Sequence, residues 1–140
     1  MTILLNIRQA FYPLFAKFIK FGVVGVSGVV VDFAITYLLK EKLRLQQYVS
    51  NAIGFITAAT TNYYLNRIWT FHSNDPNISL EYGRFILISM IGLGINTLIL
   101  WLLVSKFKWN FYVAKISAIG VVTVWNFFAN LAFTFANSAA

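Results

Sequence analysis

Four long apolar runs, with a single charge among them, constrain this chain more than any other feature. A helix that crosses the hydrocarbon core of a bilayer needs about 20 mostly apolar residues. The runs are continuous rather than alternating, which argues against membrane strands. Only 11% of the residues are charged, too few to cover a soluble surface. The pattern predicts an all-α integral membrane protein, with transmembrane helices at Phe21–Leu39, Tyr48–Leu65, Phe85–Val104 and Ile116–Ala140.

The segments outside these runs are short. The predicted connections are Lys40–Gln47, Arg67–Arg84 and Ser105–Asn110, which makes residues 1–140 a single membrane domain without a separate soluble module. Residues Met1–Lys20 mix basic and aromatic side chains and contain no small-residue cleavage site. This composition favours an interfacial amphipathic helix that leads into the first span over a signal peptide.

An internal repeat relates the two halves of the chain. A shift of 64 positions aligns residues 17–71 with residues 81–135 without a gap. Shared hydrophobicity explains matched leucines, but it does not explain matched asparagines inside apolar helices. The sequence therefore predicts a duplication. The matched pairs include Phe21 with Phe85, Gly28 with Gly92, Asn62 with Asn126, and Asn66 with Asn130.

The repeat also predicts how the copies are oriented. Each copy contains two spans, so both copies enter the membrane from the same side. The copies are then parallel and related by a pseudo-two-fold axis along the membrane normal. Both ends of the chain are expected on one side of the membrane.

Two opposite charges are expected at similar depth in one leaflet. Asp32 lies seven residues before the end of the first run, about 10 Å below the surface. Lys115 directly precedes the fourth run, five residues after the connection that ends at Asn110, and is expected about 5–8 Å below the same surface. Ionisable residues inside a bilayer are costly and often functional. We therefore predict an intramembrane ion pair between Asp32 and Lys115. The pair could act only as a lock on helix packing, or Lys115 could extend to the interface or bind an anion.

A second polar cluster is expected near the side of the chain termini. The net charge is +7, and its bases are scattered between apolar runs, which favours anionic lipid headgroups over nucleic acid. Amide and guanidinium groups together suit phosphate oxygens. Interhelical hydrogen bonding by Asn and headgroup anchoring by Arg and Lys is the alternative. The predicted headgroup-binding residues are Lys20, Asn62, Asn66, Arg67, Arg84, Lys115, Asn126 and Asn130.

The sequence holds no arrangement typical of catalysis or metal binding. Cysteine is absent, His72 is the only histidine, and there are four acidic residues in all. No Ser/His/Asp set, paired carboxylates or phosphate loop is present. We therefore expect no metal, no cofactor and no enzymatic activity.

Several segments resemble the GtrA-like family over almost the whole chain. The segment from Phe18 to Gly25 enters the first span, and Asp32 follows it. The segment from Asn62 to Phe71 closes the second span with the fairly specific pattern Asn-x3-Asn-Arg-x-Trp-Thr-Phe. The same resemblance extends to Arg84-Phe85, Lys115 and Asn126.

The resemblance implies a four-span protein of the bacterial inner membrane, with both termini cytoplasmic. It implies a translocase, or flippase, that moves a polyprenyl-phosphate-linked sugar for cell-surface polysaccharide or wall-polymer glycosylation. The implied partners are the sugar lipid, membrane lipids and, in a homo-oligomer, a second copy, with a dimer favoured. The alternatives are a small ion-coupled exporter and a non-transporting partner of a membrane glycosyltransferase.

Overall fold

The protein consists of helices joined by short turns. The computed structural model describes residues 1–136, apart from the side chains at positions 47, 48, 51, 111, 112 and 115. This part contains no strand, which confirms the all-α prediction. The chain divides into two compact units, Met1–Ser73 and Asn74–Ala140. The helices are α1 (Thr2–Tyr37), α2 (Gln47–Leu65), α3 (Ile78–Trp101) and α4 (Phe111–Ala129).

Length and hydropathy make three of the helical segments suitable for crossing a membrane: Thr2–Lys42, Ile78–Lys106 and Ile116–Thr134. The α2 helix is more polar, because it carries several threonines and Asn62. It nevertheless packs antiparallel along α1, from Ser50 at one end to Phe71 just beyond the other. Therefore α2 covers the same depth as the apolar part of α1, and the class of integral membrane protein is confirmed.

The helices are longer than the predicted spans. The helix predicted within Met1–Lys20 and the first span form one helix, because α1 begins at Thr2 and continues through Pro13 without a break. Arg67 and Arg84 were predicted to bound a loop, but both lie in helical turns, and the connection itself is shorter. Charged residues in a terminal turn keep their head groups in water while the backbone stays helical. A hydropathy run therefore ends before its helix does.

Every helix ends in a wider turn. In these turns a backbone N–H donates to the carbonyl five residues earlier, as Phe71 does to Asn66 at 2.9 Å and Phe135 to Asn130 at 2.8 Å. This is the geometry of a π-helical turn. The four turns span Leu38–Lys42, Asn66–Thr70, Leu102–Lys106 and Asn130–Thr134.

The chain leaves three of these turns through a left-handed residue. The φ angles are 54° at Arg44, 48° at His72 and 58° at Lys108, and none of the three is glycine. The helix that follows begins with a side-chain cap. The Gln46 and Asn77 side chains accept hydrogen bonds from the Val49 and Leu80 backbone N–H groups, at 2.9 and 3.3 Å. These caps satisfy donors that a helix start leaves free.

The two units repeat the same packing. In the first, Phe21 and Phe71 meet edge to face at 6.3 Å between ring centroids, and in the second Phe85 and Phe135 do so at 6.4 Å. Apart from the start of α1, every helix boundary and every wide turn of the first unit has a counterpart 64 residues later in the second. Lipid tails are as apolar as these rings, so each hairpin depends on close packing and interhelical hydrogen bonds. The pseudo-two-fold axis stays a prediction.

Candidate functional site

The wide turn that follows the second helix of each hairpin contains one of the predicted asparagines. Asn66 and Asn130 are fully buried, with exposed fractions of 1% and 0%. The Thr70 hydroxyl donates to Asn66 Oδ1 at 2.8 Å, and the Thr134 hydroxyl donates to Asn130 Oδ1 at 2.6 Å. The amide oxygens of both asparagines are therefore occupied within the fold, and they stabilise the turn from inside.

The preceding asparagines are arranged differently. The side-chain oxygens of Asn62 and Asn126 are buried, and neither has a hydrogen-bond partner among the described residues. Each amide lies on a glycine of the opposite helix. A Cβ atom added to Gly92 would lie 2.6 Å from Asn126 Oδ1, and one added to Gly28 would lie 2.7 Å from Asn62 Cγ. An acceptor buried without a donor costs about 1–3 kcal/mol, and in both units this acceptor lies at a tight contact between the two helices of the hairpin.

The basic residues lie at the end of each hairpin that contains the turns Asn66–Thr70 and Asn130–Thr134. In the first unit, Lys20 Nζ lies 5.4 Å above the Trp69 ring, a cation–π contact. In the second unit, Arg84 Nη1 donates to the Phe133 carbonyl at 3.4 Å. Lys20 and Arg84 are 64 positions apart, and so are the two residues they contact. Each hairpin therefore holds one cation from its first helix against the final turn of its second.

Arg67 lies within the wide turn of the first unit. Its Nη1 atom donates to the Ser73 hydroxyl at 3.4 Å, so the guanidinium reaches past the end of the helix into the connection. The equivalent position in the second unit is Leu131. The first unit therefore has a second cation at a level where the second unit has an apolar side chain.

A groove opens along the second hairpin. Its volume is about 470 Å³, within the roughly 300–1,000 Å³ typical of small-molecule sites. Arg84 supplies the charge, and the groove runs about 10 Å along α3 from Arg84 to Ile91. The remaining walls are apolar: Leu87, Ile88, Ile91, Trp125, Ala129, Ala132 and Phe133.

Trp125 fixes the wall of this groove. Its indole N–H donates to the Ile88 carbonyl across the hairpin at 3.3 Å, so the ring is held against α3. Sequence reasoning gave this residue no role. The one available signal is that an indole N–H in the middle of an apolar helix needs an acceptor.

The predicted intramembrane carboxylate lies in the first unit. The Thr36 hydroxyl donates to Asp32 Oδ1 at 3.2 Å and also approaches the Ser50 carbonyl at 3.5 Å. Gly54 of α2 packs against this carboxylate. Asp32 thus lies at a close contact between α1 and α2, which Gly54 permits because it has no side chain. The side chain of Lys115, its predicted partner, lies outside the described residues.

Glu81 was also missed. It lies in the first turn of α3 and is 2% exposed, although the sequence placed it in a loop. An acidic residue near the first turn of a helix complements the helix dipole, and this was the signal available.

Two comparisons with known proteins bear on this arrangement. The chain is 24% identical over 111 residues to "Uncharacterized membrane protein YwcD" of Bacillus subtilis (strain 168), a match that covers 77% of this chain and 87% of that protein. Residues 20–135 match the family described as "GtrA/DPMS, transmembrane domain", which includes both hairpins and confirms the resemblance noted in the sequence. The protein therefore belongs to the GtrA/DPMS transmembrane domain family.

Proposed function

We propose that this protein is a flippase that moves a polyprenyl-phosphate-linked sugar across the bacterial inner membrane, for glycosylation of a surface polysaccharide or wall polymer. Membership of the GtrA/DPMS family supports an association with lipids of this class. The observation that carries the proposal is the groove of the second hairpin, which combines one cation with an apolar wall.

The groove matches the two chemical parts of such a lipid. A guanidinium has five N–H donors in a planar fork, and Arg84 uses one nitrogen on the Phe133 carbonyl. The remaining donors suit phosphate oxygens, which accept paired hydrogen bonds from arginine. The apolar walls beside Leu87 and Ile91 suit the first part of a hydrocarbon chain.

An open groove also fits the physical problem of translocation. The hydrocarbon tail of the lipid can stay in the bilayer throughout, so only the sugar and one phosphate must cross. A site that is open along its side lets the tail trail in lipid while polar groups of the protein replace water around the head. Lys20 and Arg67 in the first hairpin, and the amide groups of Asn62 and Asn126, are the further groups we propose for the head.

The test is a translocation assay in proteoliposomes with a fluorescent polyprenyl phosphate sugar. The Arg84→Gln variant should lower both binding and the translocation rate by about 10-fold or more, because a hydrogen bond to a charged group contributes about 1.5–3 kcal/mol. Arg84→Lys should retain part of both, since it keeps the charge without the planar fork. Lys108→Gln, which removes an equal charge from the opposite end of the same hairpin, should match the wild type.

Other outcomes would overturn the proposal. If the wild-type protein gives no translocation above empty liposomes, it is not a flippase. Binding without translocation, together with co-purification of a membrane glycosyltransferase, would instead assign it a non-transporting role beside that enzyme.

A further inference from the structure

The first 16 residues of α1, here called the N-terminal arm, have no packing role in the first unit. The arm precedes residue 20, where the match to the family begins. Its large apolar side chains are exposed, for example Ile3 at 75%, Ile7 at 57% and Phe11 at 57%. A helix of this composition does not remain in water, so something must cover it.

The length of α1 shows that the arm is not needed for crossing. The helix has 36 residues and is about 54 Å long at 1.5 Å per residue. The hydrocarbon core of a bilayer is about 30 Å thick. The first buried contact of α1 is at Phe21, which pairs with Phe71 at the end of the hairpin. The arm therefore extends about 24 Å beyond the hairpin.

The arm has one apolar face and one polar face. At 100° per residue, Ile3, Ile7, Leu14, Leu4, Phe11 and Phe15 share one side. Thr2, Asn6 and Gln9 lie together on the opposite side of the helix. Arg8 lies at the border between the two faces, above the Tyr12 ring at 5.9 Å. This is the pattern of a helix that lies in a membrane interface.

The charge of this region indicates which kind of membrane surface the arm contacts. Arg8, Lys17 and Lys20 precede the first acidic residue of the chain, Asp32. Basic residues close to a membrane are attracted to anionic lipids over roughly a Debye length. A leaflet that contains anionic lipid therefore complements both the apolar and the basic parts of the arm.

Pro13 gives the arm the means to reach that surface. Proline has no N–H, so the Gln9 carbonyl loses its helical donor, and the ring pushes against that carbonyl. Proline is a common cause of kinks in helices, and the helix opens on the side of the lost hydrogen bond. Pro13 lies beside Asn6 and Gln9 on the polar side. A bend at Pro13 would therefore tilt the preceding residues so that their apolar face turns towards the bilayer.

We propose that the part of the N-terminal arm before Pro13 lies on the anionic leaflet of the membrane, with its apolar face in the interface and Pro13 as the hinge. The arm then fixes the rotation and depth of α1 at the end where Lys20 lies. This inference does not depend on the proposed transport activity.

The protein has no cysteine, so single cysteines can be placed and labelled without background. Ile7→Cys reports the apolar face, and Asn6→Cys, one residue away on the polar face, is the matched control. Both carry an environment-sensitive fluorophore in vesicles of phosphatidylcholine with about 30% phosphatidylglycerol. We expect a blue shift at position 7 alone, with stronger quenching by nitroxides near the headgroup than by nitroxides deep in the chains.

Two further measurements test the charge and the hinge. Arg8→Gln, or vesicles of phosphatidylcholine alone, should weaken the quenching at position 7. Pro13→Ala should weaken it as well, because a straight helix holds the arm away from the bilayer.

Three results would overturn the inference. Equal water exposure at positions 6 and 7 would mean a free arm. A blue shift without quenching by lipid nitroxides would mean that a protein surface, such as a second copy, covers the arm. Strongest quenching by deep nitroxides would mean that the arm is part of the transmembrane span.

Discussion

At the scale of single residues, each hairpin contains a tight contact in which an asparagine amide lies on a glycine. Gly28 and Gly92 have no side chain at the point where the Asn62 and Asn126 amides approach. The amide takes the place that a methyl group would occupy. Other glycines on the same helices, such as Gly25 and Gly94, have open space there.

Gly28→Ala is therefore expected to destabilise the protein by about 1–3 kcal/mol, because the new methyl group overlaps the Asn62 amide. Gly25→Ala, three residues earlier on the same helix, should leave stability unchanged or slightly raised. The measurement is the free energy of unfolding in detergent. The second change Asn62→Ala should partly reverse the loss, and equal effects of the two alanine variants would contradict the packing described here.

Sequence reasoning grouped the four asparagines, and the structure separates them. Spacing by four residues places Asn62 and Asn66 on one helix face, so they were predicted to act together on a headgroup. Thr70 lies four residues after Asn66, and its hydroxyl donates to the Asn66 amide oxygen. Spacing by four gives the shared helix face, but it does not give which of the side chains on that face form a hydrogen bond.

At the scale of elements, the wide terminal turns and their left-handed exits set the length of each connection. Four residues, from Leu43 to Gln46, are enough to join α1 to α2 after such a turn. Arg44 has a φ of 54°, a conformation in which a side chain costs about 1–2 kcal/mol relative to glycine.

Arg44→Gly should therefore raise the free energy of unfolding, by up to about 1 kcal/mol, since glycine is the preferred residue after a helix end. Lys42→Gly, two residues earlier inside the helical turn, should lower it by about 0.5–1 kcal/mol. Thermal unfolding of both variants in the same detergent compares them directly. A loss of stability in Arg44→Gly would mean that its side chain contributes more than the backbone cost.

The elements themselves were predictable because apolar runs and a 64-residue repeat both survive in the sequence. Their ends were less predictable, because Arg67 and Lys42 are charged residues inside helical turns. The fusion of Met1–Lys20 with the first span was missed for a related reason. Pro13 and several charges interrupt the hydropathy there without breaking the helix.

At the scale of the whole molecule, the two units share a scaffold but differ in their chemistry. The first unit holds Asp32 and Thr36, whose counterparts are Asn96 and Leu100. The second holds Trp125, which forms the wall of the groove and whose counterpart is Thr61. These differences lie at contacts between the helices of a hairpin, where Asp32 packs against Gly54 and the Trp125 N–H donates to the Ile88 carbonyl.

The division into units predicts where the chain tolerates an insertion. A six-residue Gly/Ser linker between Ser73 and Asn74 falls on the boundary and should leave the unfolding midpoint unchanged. The same linker between Lys108 and Trp109 interrupts a turn in which the Trp109 N–H donates to Leu103, and it should lower the midpoint. Equal tolerance at both places would contradict the two-unit organisation.

Gly92, which contacts the Asn126 amide in the second hairpin, also determines the width of the groove beside it. Gly92 is four residues beyond Ile88, the residue whose carbonyl holds Trp125. Because Gly92 has no Cβ atom, α4 can approach α3 closely, and this distance between the helices sets the width of the groove. Alanine or serine at this single position would therefore change the width of the groove while every residue lining it stays the same.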